Sequence, residues 1–176
     1  MKTIYISGPI TDLTTGQPRE GWQQDFLDAE AKLRRMGFAV INPVDIAREV
    51  DEANRWQWEC LPHPCTSTGD PIPPSRADYI MACLQRMKMA HSVDRLHGVY
   101  VIGLKKQNDC GCMVNSAIFH SDGVQMELHM ARVLGIPIFA QFYDDSEITL
   151  ALLPLKDGQC LLGDGEFGKE NWSGKL

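Results

Sequence analysis

Glu127 stands where a carboxylate can take part in chemistry. The pattern of residues 121–131 predicts a loop followed by a helix, and the apolar run 136–140 predicts a buried strand. Glu127 therefore lies near the start of a helix, on the side of a sheet where ligands usually bind. A carboxylate there is either a solvated surface group or, beside a dry sugar pocket, a nucleophile that attacks an anomeric carbon.

The residues just before Glu127 suit an anion. Asp122 is predicted to cap the helix, with Gln125 completing a box-like arrangement. Gly123 has no side chain, so a ligand can approach the backbone closely there. Free N–H groups at a helix start bind anions such as a 5′-phosphate. We therefore expect Asp122 and Gly123 to contact a substrate.

The chain has six cysteines, and some of them lie near histidines. Two local groups suggest metal binding: Cys60-x-x-His63-x-Cys65, and Cys110-x-Cys112 followed by His120. Neither group has the paired C-x-x-C spacing of zinc sites. Without a secretion signal, disulfides are not expected either. We expect reduced thiols and no metal, with a zinc-stabilised interaction protein as an alternative.

Composition narrows the class of protein. Hydrophobic residues make up 44% of the 176 residues, and the net charge is -6. This is a globular chain without the basic face that polymeric nucleic acid requires, although its loops can still hold a small anion. The apolar runs are far shorter than the roughly 20 residues that span a bilayer. The chain opens Met-Lys-Thr with no visible signal peptide, so we expect a cytoplasmic protein without a membrane partner.

Apolar runs and amphipathic segments alternate along the chain. Buried strands are predicted at 3–7, 38–41, 98–103 and 136–142, and 150–154 is a candidate for a last strand. Helices are predicted from Trp22 to Leu33, around 46–53, over 76–92 and around Glu127. Two long segments, 61–75 and 104–120, are predicted as loops of the kind that often form lids or binding loops.

This order of elements predicts one α/β domain over residues 1–155 and a polar C-terminal tail over 156–176. We expect an open parallel sheet of about five strands, flavodoxin- or Rossmann-like, with helices on both faces. Right-handed crossovers place the carboxyl ends of all strands at one edge, where ligands bind. That edge collects the turn 7–11, Asn42 and the loop that leads to Asp122.

Four segments together resemble a known family: Ile-Tyr-Ile-Ser-Gly-Pro-Ile-Thr at 4–11, Gly-Phe-Ala-Val-Ile-Asn-Pro at 37–43, Asp-Arg-Leu-His-Gly-Val-Tyr-Val-Ile-Gly at 94–103, and Asp-Gly-Val-Gln-Met-Glu-Leu-x-x-Ala at 122–131. Their order and spacing are similar to the nucleoside 2-deoxyribosyltransferase-like superfamily, and more narrowly to its small bacterial and phage branch of the DUF4406 type. The resemblance covers residues 1–142, with gaps at both long loops.

The resemblance implies roles for particular residues. The family's nucleophilic glutamate, in a Gly-x-x-x-Glu-x-x-x-Ala pattern, falls on Glu127, and the Asp before the third strand falls on Asp94. The turn that contacts sugar or phosphate falls on residues after the first strand. The predicted substrate-binding residues are Ser7, Gly8, Pro9, Ile10, Asn42, Tyr79, Asp122 and Gly123.

The chain departs from the family in the helix before Asp94. Relatives carry a further Asp there, which helps to handle the proton on the base, and this chain has Cys83 at the nearest matching position. Asp78 lies five residues earlier and can substitute if the helix is shifted. The predicted catalytic residues are therefore Glu127, Asp94 and Asp78.

These roles imply an N-glycosidase or a deoxyribosyltransferase. Glu127 attacks C1′ of a (deoxy)nucleoside or its 5′-monophosphate, and the base leaves with a proton from Asp78, Asp94 or water. Water or a second base then captures the sugar. We expect no cofactor and, because relatives form homo-oligomers, a homo-oligomer here. The alternative is a non-catalytic nucleotide-binding or sensor protein on the same fold, which Cys83 favours.

Overall fold

A computed structural model describes residues 1–12, 15, 17–60, 72–102, 105–107, 113–115, 121–143 and 148–152. Its elements follow in the order β1 (Thr3–Ser7), α1 (Trp22–Arg35), β2 (Ala39–Ile41), α2 (Pro43–Cys60), α3 (Arg76–Ser92), β3 (Leu96–Val101), β4 (Lys105–Gln107), β5 (Met113–Asn115), α4 (Asp122–Val133), β6 (Ile138–Tyr143) and β7 (Ile148–Leu152).

The main sheet has the strand order β2-β1-β3-β6-β7. The first four strands are parallel, as predicted, with Tyr5 paired to Val99 and Ser7 to Val101. The fifth strand corrects the sequence prediction, because β7 runs antiparallel to β6 and begins at Ile148. The chain is therefore an α/β protein with a four-stranded parallel sheet and an antiparallel edge strand.

Side chains that alternate along the strands enter two separate apolar clusters, because successive strand residues point to opposite faces. One cluster packs under α1 and contains Ile4, Ile6, Phe26, Ala29, Leu33, Tyr100, Ile102 and Phe139. The other packs under α3 and α4 and contains Tyr5, Ile46, Cys83, Met87, Leu96, Val99, Val101, Val124, Leu128, Ala131, Ile136 and Ile138. Helices thus cover both faces of the sheet.

Helices α2 and α3 run antiparallel to each other. The side chains of Glu49 and Arg86 form an ion pair, and further along α2 the carboxylate of Asp51 accepts a hydrogen bond from Tyr79 at 2.6 Å. The predicted helix 76–92 is confirmed. The predicted helix 46–53 was too short, because α2 covers the 18 residues Pro43–Cys60.

A two-stranded antiparallel hairpin, β4 with β5, lies where the sequence predicts the loop 104–120. That prediction was wrong for these two short segments, since three-residue strands leave almost no periodic signal. The structure does not describe most of the loop 61–75 or the tail 156–176. The side chains of both cysteine–histidine groups also lie outside the described part of the chain. None of the helices within the described ranges combines the length and apolar character needed to cross a membrane.

Candidate functional site

Glu127 lies on the core-facing stripe of α4. The buried residues of this helix are Val124, Glu127, Leu128 and Ala131, which recur at the spacing of one helical face. Only 8% of Glu127 is exposed, so the alternative of a solvated surface carboxylate is wrong. A glutamate placed among apolar positions must find polar partners or lose its charge.

Two hydroxyl groups of β1 provide those partners. The Tyr5 hydroxyl donates to Oε1 of Glu127 at 2.6 Å, and Ser7 Oγ donates to Oε2 at 2.5 Å. Distances in this range are typical of hydrogen bonds to an ionised oxygen. Tyr5 and Ser7 are two residues apart, so both side chains point to the α4 face of the strand.

Burial raises the pKa of Glu127 to about 7, while the hydrogen bonds from Ser7 and then Tyr5 lower it. The two effects leave the carboxylate near half ionisation at neutral pH. A group in that condition can exchange a proton or act as a nucleophile without a large change in pH. Each carboxylate oxygen retains a further lone pair after accepting one hydrogen bond.

Cys83 of α3 completes the polar cluster, which we call the Glu127 cluster: Tyr5, Ser7, Cys83 and Glu127. Cys83 is buried in the same apolar cluster as Tyr5. Burial, and then the nearby Glu127, raises the pKa of Cys83 to about 12, so this thiol stays neutral. Burial likewise raises the pKa of Tyr5 well above its usual value, with Glu127 and Cys83 adding to the effect.

The cluster lies at the carboxyl edge of the parallel strands. Ser7 is the last residue of β1 and pairs with Val101, the last residue of β3. The chain leaves β1 for β2 on one side and later returns to β3 on the other, so the strand order reverses between β1 and β3. Ligands of open α/β sheets bind in the crevice at such a reversal.

The start of α4 differs in detail from the sequence prediction. Ser121, rather than Asp122, is the N-cap, and its Oγ accepts from the backbone N–H of Val124 at 3.4 Å. Asp122 is exposed and forms an ion pair with Arg76 at 3.4 Å, which joins the first turns of α3 and α4. A Cβ at Gly123 would meet Ile80 and Ser121 at 3.9 Å, which is ordinary van der Waals contact, so a small side chain fits at this position.

The turn after β1 follows directly from Ser7. Gly8 is held closely, since a Cβ there would lie 3.0 Å from Phe26 and 3.1 Å from Ile102. Pro9 is buried and Ile10 is half-buried. The turn thus lies beside the Glu127 cluster, and the substrate contacts of Gly8, Pro9 and Ile10 stay predictions.

The side chain of Asn42 makes hydrogen bonds that stabilise the fold. Its Nδ2 donates to Glu30 Oε2 at 2.7 Å, and its Oδ1 accepts from the backbone N–H of Val44 at 3.0 Å. The side chain therefore caps α2 and links it to α1. A substrate contact by Asn42 stays a prediction.

Asp78 and Tyr79 lie in the first turn of α3, and their side chains are hydrogen bonded to other residues of the protein. The carboxylate of Asp78 accepts hydrogen bonds from the hydroxyl and the backbone N–H of Ser75, both at 2.7 Å, and these lower its pKa. Asp78 is exposed and ionised, which makes it a poor proton donor at neutral pH. The Tyr79 hydroxyl donates to Asp51, and burial with this contact raises the pKa of Tyr79 to about 12.

Asp94 lies at the other edge of the sheet. It occupies the turn between α3 and β3 with a φ of 52°, and β3 starts beside Thr3 at the amino end of β1. Glu127 contacts Ser7 at the carboxyl end of the same strand. The structure thus brings Glu127 to the strand end at Ser7 and does not bring Asp94 to it.

Sequence reasoning did not bring Tyr5 to Glu127 and did not place Cys83 in the same cluster. The available signal was the alternation along β1, which puts Tyr5 and Ser7 on one face. No group of three or more His, Cys, Asp or Glu residues suited to a metal ion occurs among the residues described. Comparisons with known protein families, with curated proteins and with solved structures gave no significant match.

Proposed function

We propose that this chain cleaves the bond between base and sugar in a (deoxy)nucleoside or its 5′-monophosphate, with Glu127 as the nucleophile. The observation that carries the proposal is a buried carboxylate, held by two hydroxyl groups, at the carboxyl edge where the strand order reverses. The four parallel strands change order between β1 and β3, and open α/β sheets bind their ligands at such a reversal. The family resemblance of the sequence motifs agrees with the same site.

The reaction runs in two steps. A free lone pair of the Glu127 carboxylate forms a bond to C1′, and the electron pair of the breaking C1′–N bond goes to the base. A water molecule attacks C1′ of the ester, loses a proton and releases the Glu127 carboxylate; a second base in place of water makes the reaction a transfer. Tyr5 and Ser7 hold the two carboxylate oxygens in place throughout.

The proton for the leaving base comes from water in this proposal. Asp78 is an exposed, hydrogen-bonded carboxylate, and Asp94 lies at the opposite edge of the sheet. Cys83 faces Tyr5 as a neutral thiol whose pKa of about 12 makes it a weak acid. The proposed enzyme therefore depends on solvent near the base, and bases that leave readily are the better substrates.

The test is incubation of the purified protein with a panel of nucleosides, deoxynucleosides and their 5′-monophosphates, followed by chromatography for free base. Glu127→Gln is expected to lower base release by about 10³-fold or more, because it removes the nucleophile. Glu52→Gln is the matched control, since it makes the same change at an exposed carboxylate on α2. Equal turnover by the Glu127→Gln variant and the unmodified protein would refute the proposal.

The arrangement around Cys83 favours a second function, that of a nucleotide-binding or sensor protein without turnover. A neutral thiol faces Tyr5 at a position where the resemblance implies an acid. The same panel separates the two functions. Calorimetric binding of a nucleotide without any release of base supports the sensor and contradicts the enzyme.

A further inference from the structure

We propose that Asp51 reads the base of the substrate: its carboxylate accepts a hydrogen bond from an exocyclic amino group, and Tyr79 holds that carboxylate in position. The contact that carries the proposal is the hydrogen bond from the Tyr79 hydroxyl to Oδ1 of Asp51 at 2.6 Å. The inference rests on the proposed function, and it narrows the substrate class to nucleosides or nucleotides whose base carries an amino group.

Tyr79 lies beside the Glu127 cluster at the carboxyl edge of the sheet. Helix α3 leads into β3, which is parallel to β1, so α3 runs opposite to β1, and its Cys83 shares an apolar cluster with Tyr5. One helical turn from Cys83 to Tyr79 advances about 6 Å along α3. The step from Tyr5 to Ser7 advances about 7 Å along β1 in the same direction. Tyr79 therefore lies near the level of Ser7, the strand end that holds Glu127.

The two flanks of α3 meet different helices. On one flank, Ile80 is close to the start of α4, since a Cβ at Gly123 would lie 3.9 Å from it. On the other flank, Tyr79 is hydrogen bonded to Asp51 of α2. A sugar held at the α4 side can extend its base along the inner face of α3 toward Asp51.

The carboxylate of Asp51 has room for a further donor. Tyr79 is bonded to Oδ1, and Oδ2 has no hydrogen bond or ion pair with any residue that the structure describes. An ionised carboxylate only accepts hydrogen bonds. The amino group of adenine or cytosine is a donor, whereas the carbonyl at the same position of hypoxanthine or uracil is an acceptor and is repelled. Asp51 therefore favours the amino bases.

Tyr79 acts as a positioning residue in this arrangement. The ion pair of Glu49 with Arg86 already joins α2 to α3, so the hydrogen bond of Tyr79 is not needed for that purpose alone. Burial, and then the contact with Asp51, raises the pKa of Tyr79 to about 12, so the hydroxyl keeps its proton and stays the donor. A fixed donor at Oδ1 orients the carboxylate and leaves Oδ2 for the ligand.

The test compares ligands that differ only in having an amino or a carbonyl group: 2′-deoxycytidine with 2′-deoxyuridine, and 2′-deoxyadenosine with 2′-deoxyinosine, each also as the 5′-monophosphate. Calorimetry measures their binding to the full-length Glu127→Gln variant, because that variant is expected not to turn the ligands over. The amino member of each pair is expected to bind about tenfold more tightly than its carbonyl partner.

Three further changes in the same background isolate the roles. Asp51→Asn is expected to bring both members of each pair to within about twofold, because an amide offers a donor as well as an acceptor. Tyr79→Phe is expected to reduce the preference by about threefold through weaker binding of the amino member alone. Glu52→Gln removes the neighbouring charge on α2 and should leave the preference unchanged. Equal binding of both members before these changes, equal effects of Asp51→Asn and Glu52→Gln, or equal weakening of both members by Tyr79→Phe would overturn the inference.

Release of base from the same ligands by the unmodified protein separates this inference from the proposed function. If both members of each pair release base at equal rates and Asp51→Asn changes neither rate, the inference is overturned and the proposed reaction stands. If the amino members bind more tightly through Asp51 but no ligand releases base, the base preference stands and the proposed reaction is refuted. If no ligand binds, both are overturned.

Discussion

The two faces of the sheet use alternate residues of the same strands but bury different chemistry. Toward α1, β1 contributes Ile4 and Ile6 to an apolar cluster. Toward α3 and α4, it contributes Tyr5 and Ser7, which meet the buried Glu127. The first face gains stability from apolar contacts, whereas the second keeps a carboxylate whose charged form burial disfavours. The difference indicates that the α4 face carries the candidate site and the α1 face supports it.

The largest stability effect is expected on the α1 face. Phe26 is fully buried and its ring meets that of Trp22 edge-on at 5.8 Å. Phe26→Ala is expected to lower the free energy of unfolding by about 3–5 kcal/mol, as measured by chemical denaturation. Leu27→Ala, at a half-exposed neighbour, is the control and should cost far less. Similar losses in both variants would mean that the α1 face is not the tightly packed one.

On the α4 face we expect a somewhat smaller effect on the free energy of unfolding, and this effect depends on pH. The pKa of Glu127 rises from its ordinary 4.5 to about 7 on folding, so the folded state binds this proton more tightly than the unfolded state. Stability from this group is full below about pH 4.5 and is lost as the pH rises through about 7. The loss corresponds to about 3 kcal/mol.

Glu127→Gln should remove that dependence, because an amide can donate to one hydroxyl and accept from the other without a charge. Between about pH 4.5 and 8, the free energy of unfolding is expected to fall by about 3 kcal/mol more in the unmodified protein than in the variant. Denaturation curves at a series of pH values measure this difference. If the free energy of unfolding depends on pH in the same way in both proteins, the pKa of Glu127 is not raised on folding.

Substitutions at two glycines allow the packing of the two faces to be compared directly. A Cβ at Gly98 would lie 2.6 Å from the Phe139 ring on the α1 face, whereas one at Gly123 would meet only ordinary contacts. Gly98→Ala is therefore expected to destabilise by about 1–3 kcal/mol. Gly123→Ala should stabilise by about 0.5–1 kcal/mol, through its higher helix propensity. Thermal melting of both variants measures the contrast, and equal effects would argue against it.

The smallest effects concern the two hydroxyl partners of Glu127. Ser7→Ala and Tyr5→Phe each remove one hydrogen bond that lowers the pKa of the carboxyl, so each should raise that pKa, Ser7→Ala by more. The expected shift is about one unit, and the acid limb of any pH–rate profile should move to higher pH with it. A downward shift in either variant would contradict the assignment of these groups as donors to an ionised Glu127.

Much of the fold follows from local patterns. The strand 3–7 and the helix 76–92 match the structure, because four of the five residues 3–7 are strand formers and Ser75 with Asp78 is a local signal for the start of a helix. Helix α2 was predicted too short; beyond residue 53 its Asn54 donates a hydrogen bond to the carbonyl of Ile72, a contact that leaves no local pattern. The hairpin of β4 and β5 and the antiparallel β7 depend on strand pairing, which a single segment does not encode.

The sequence by itself determined the α/β order, the parallel strands and the place of Glu127 in the early part of a helix, because periodicity and motifs are properties of neighbouring residues. Tertiary structure decided which groups meet that carboxylate. Tyr5 and Ser7 lie more than a hundred residues before Glu127, and Cys83 lies on a separate helix, so only the packing of α3, β1 and α4 brings the four side chains together. The raised pKa of Glu127 arises from that packing, since burial depends on the whole fold and has no local signature in the chain.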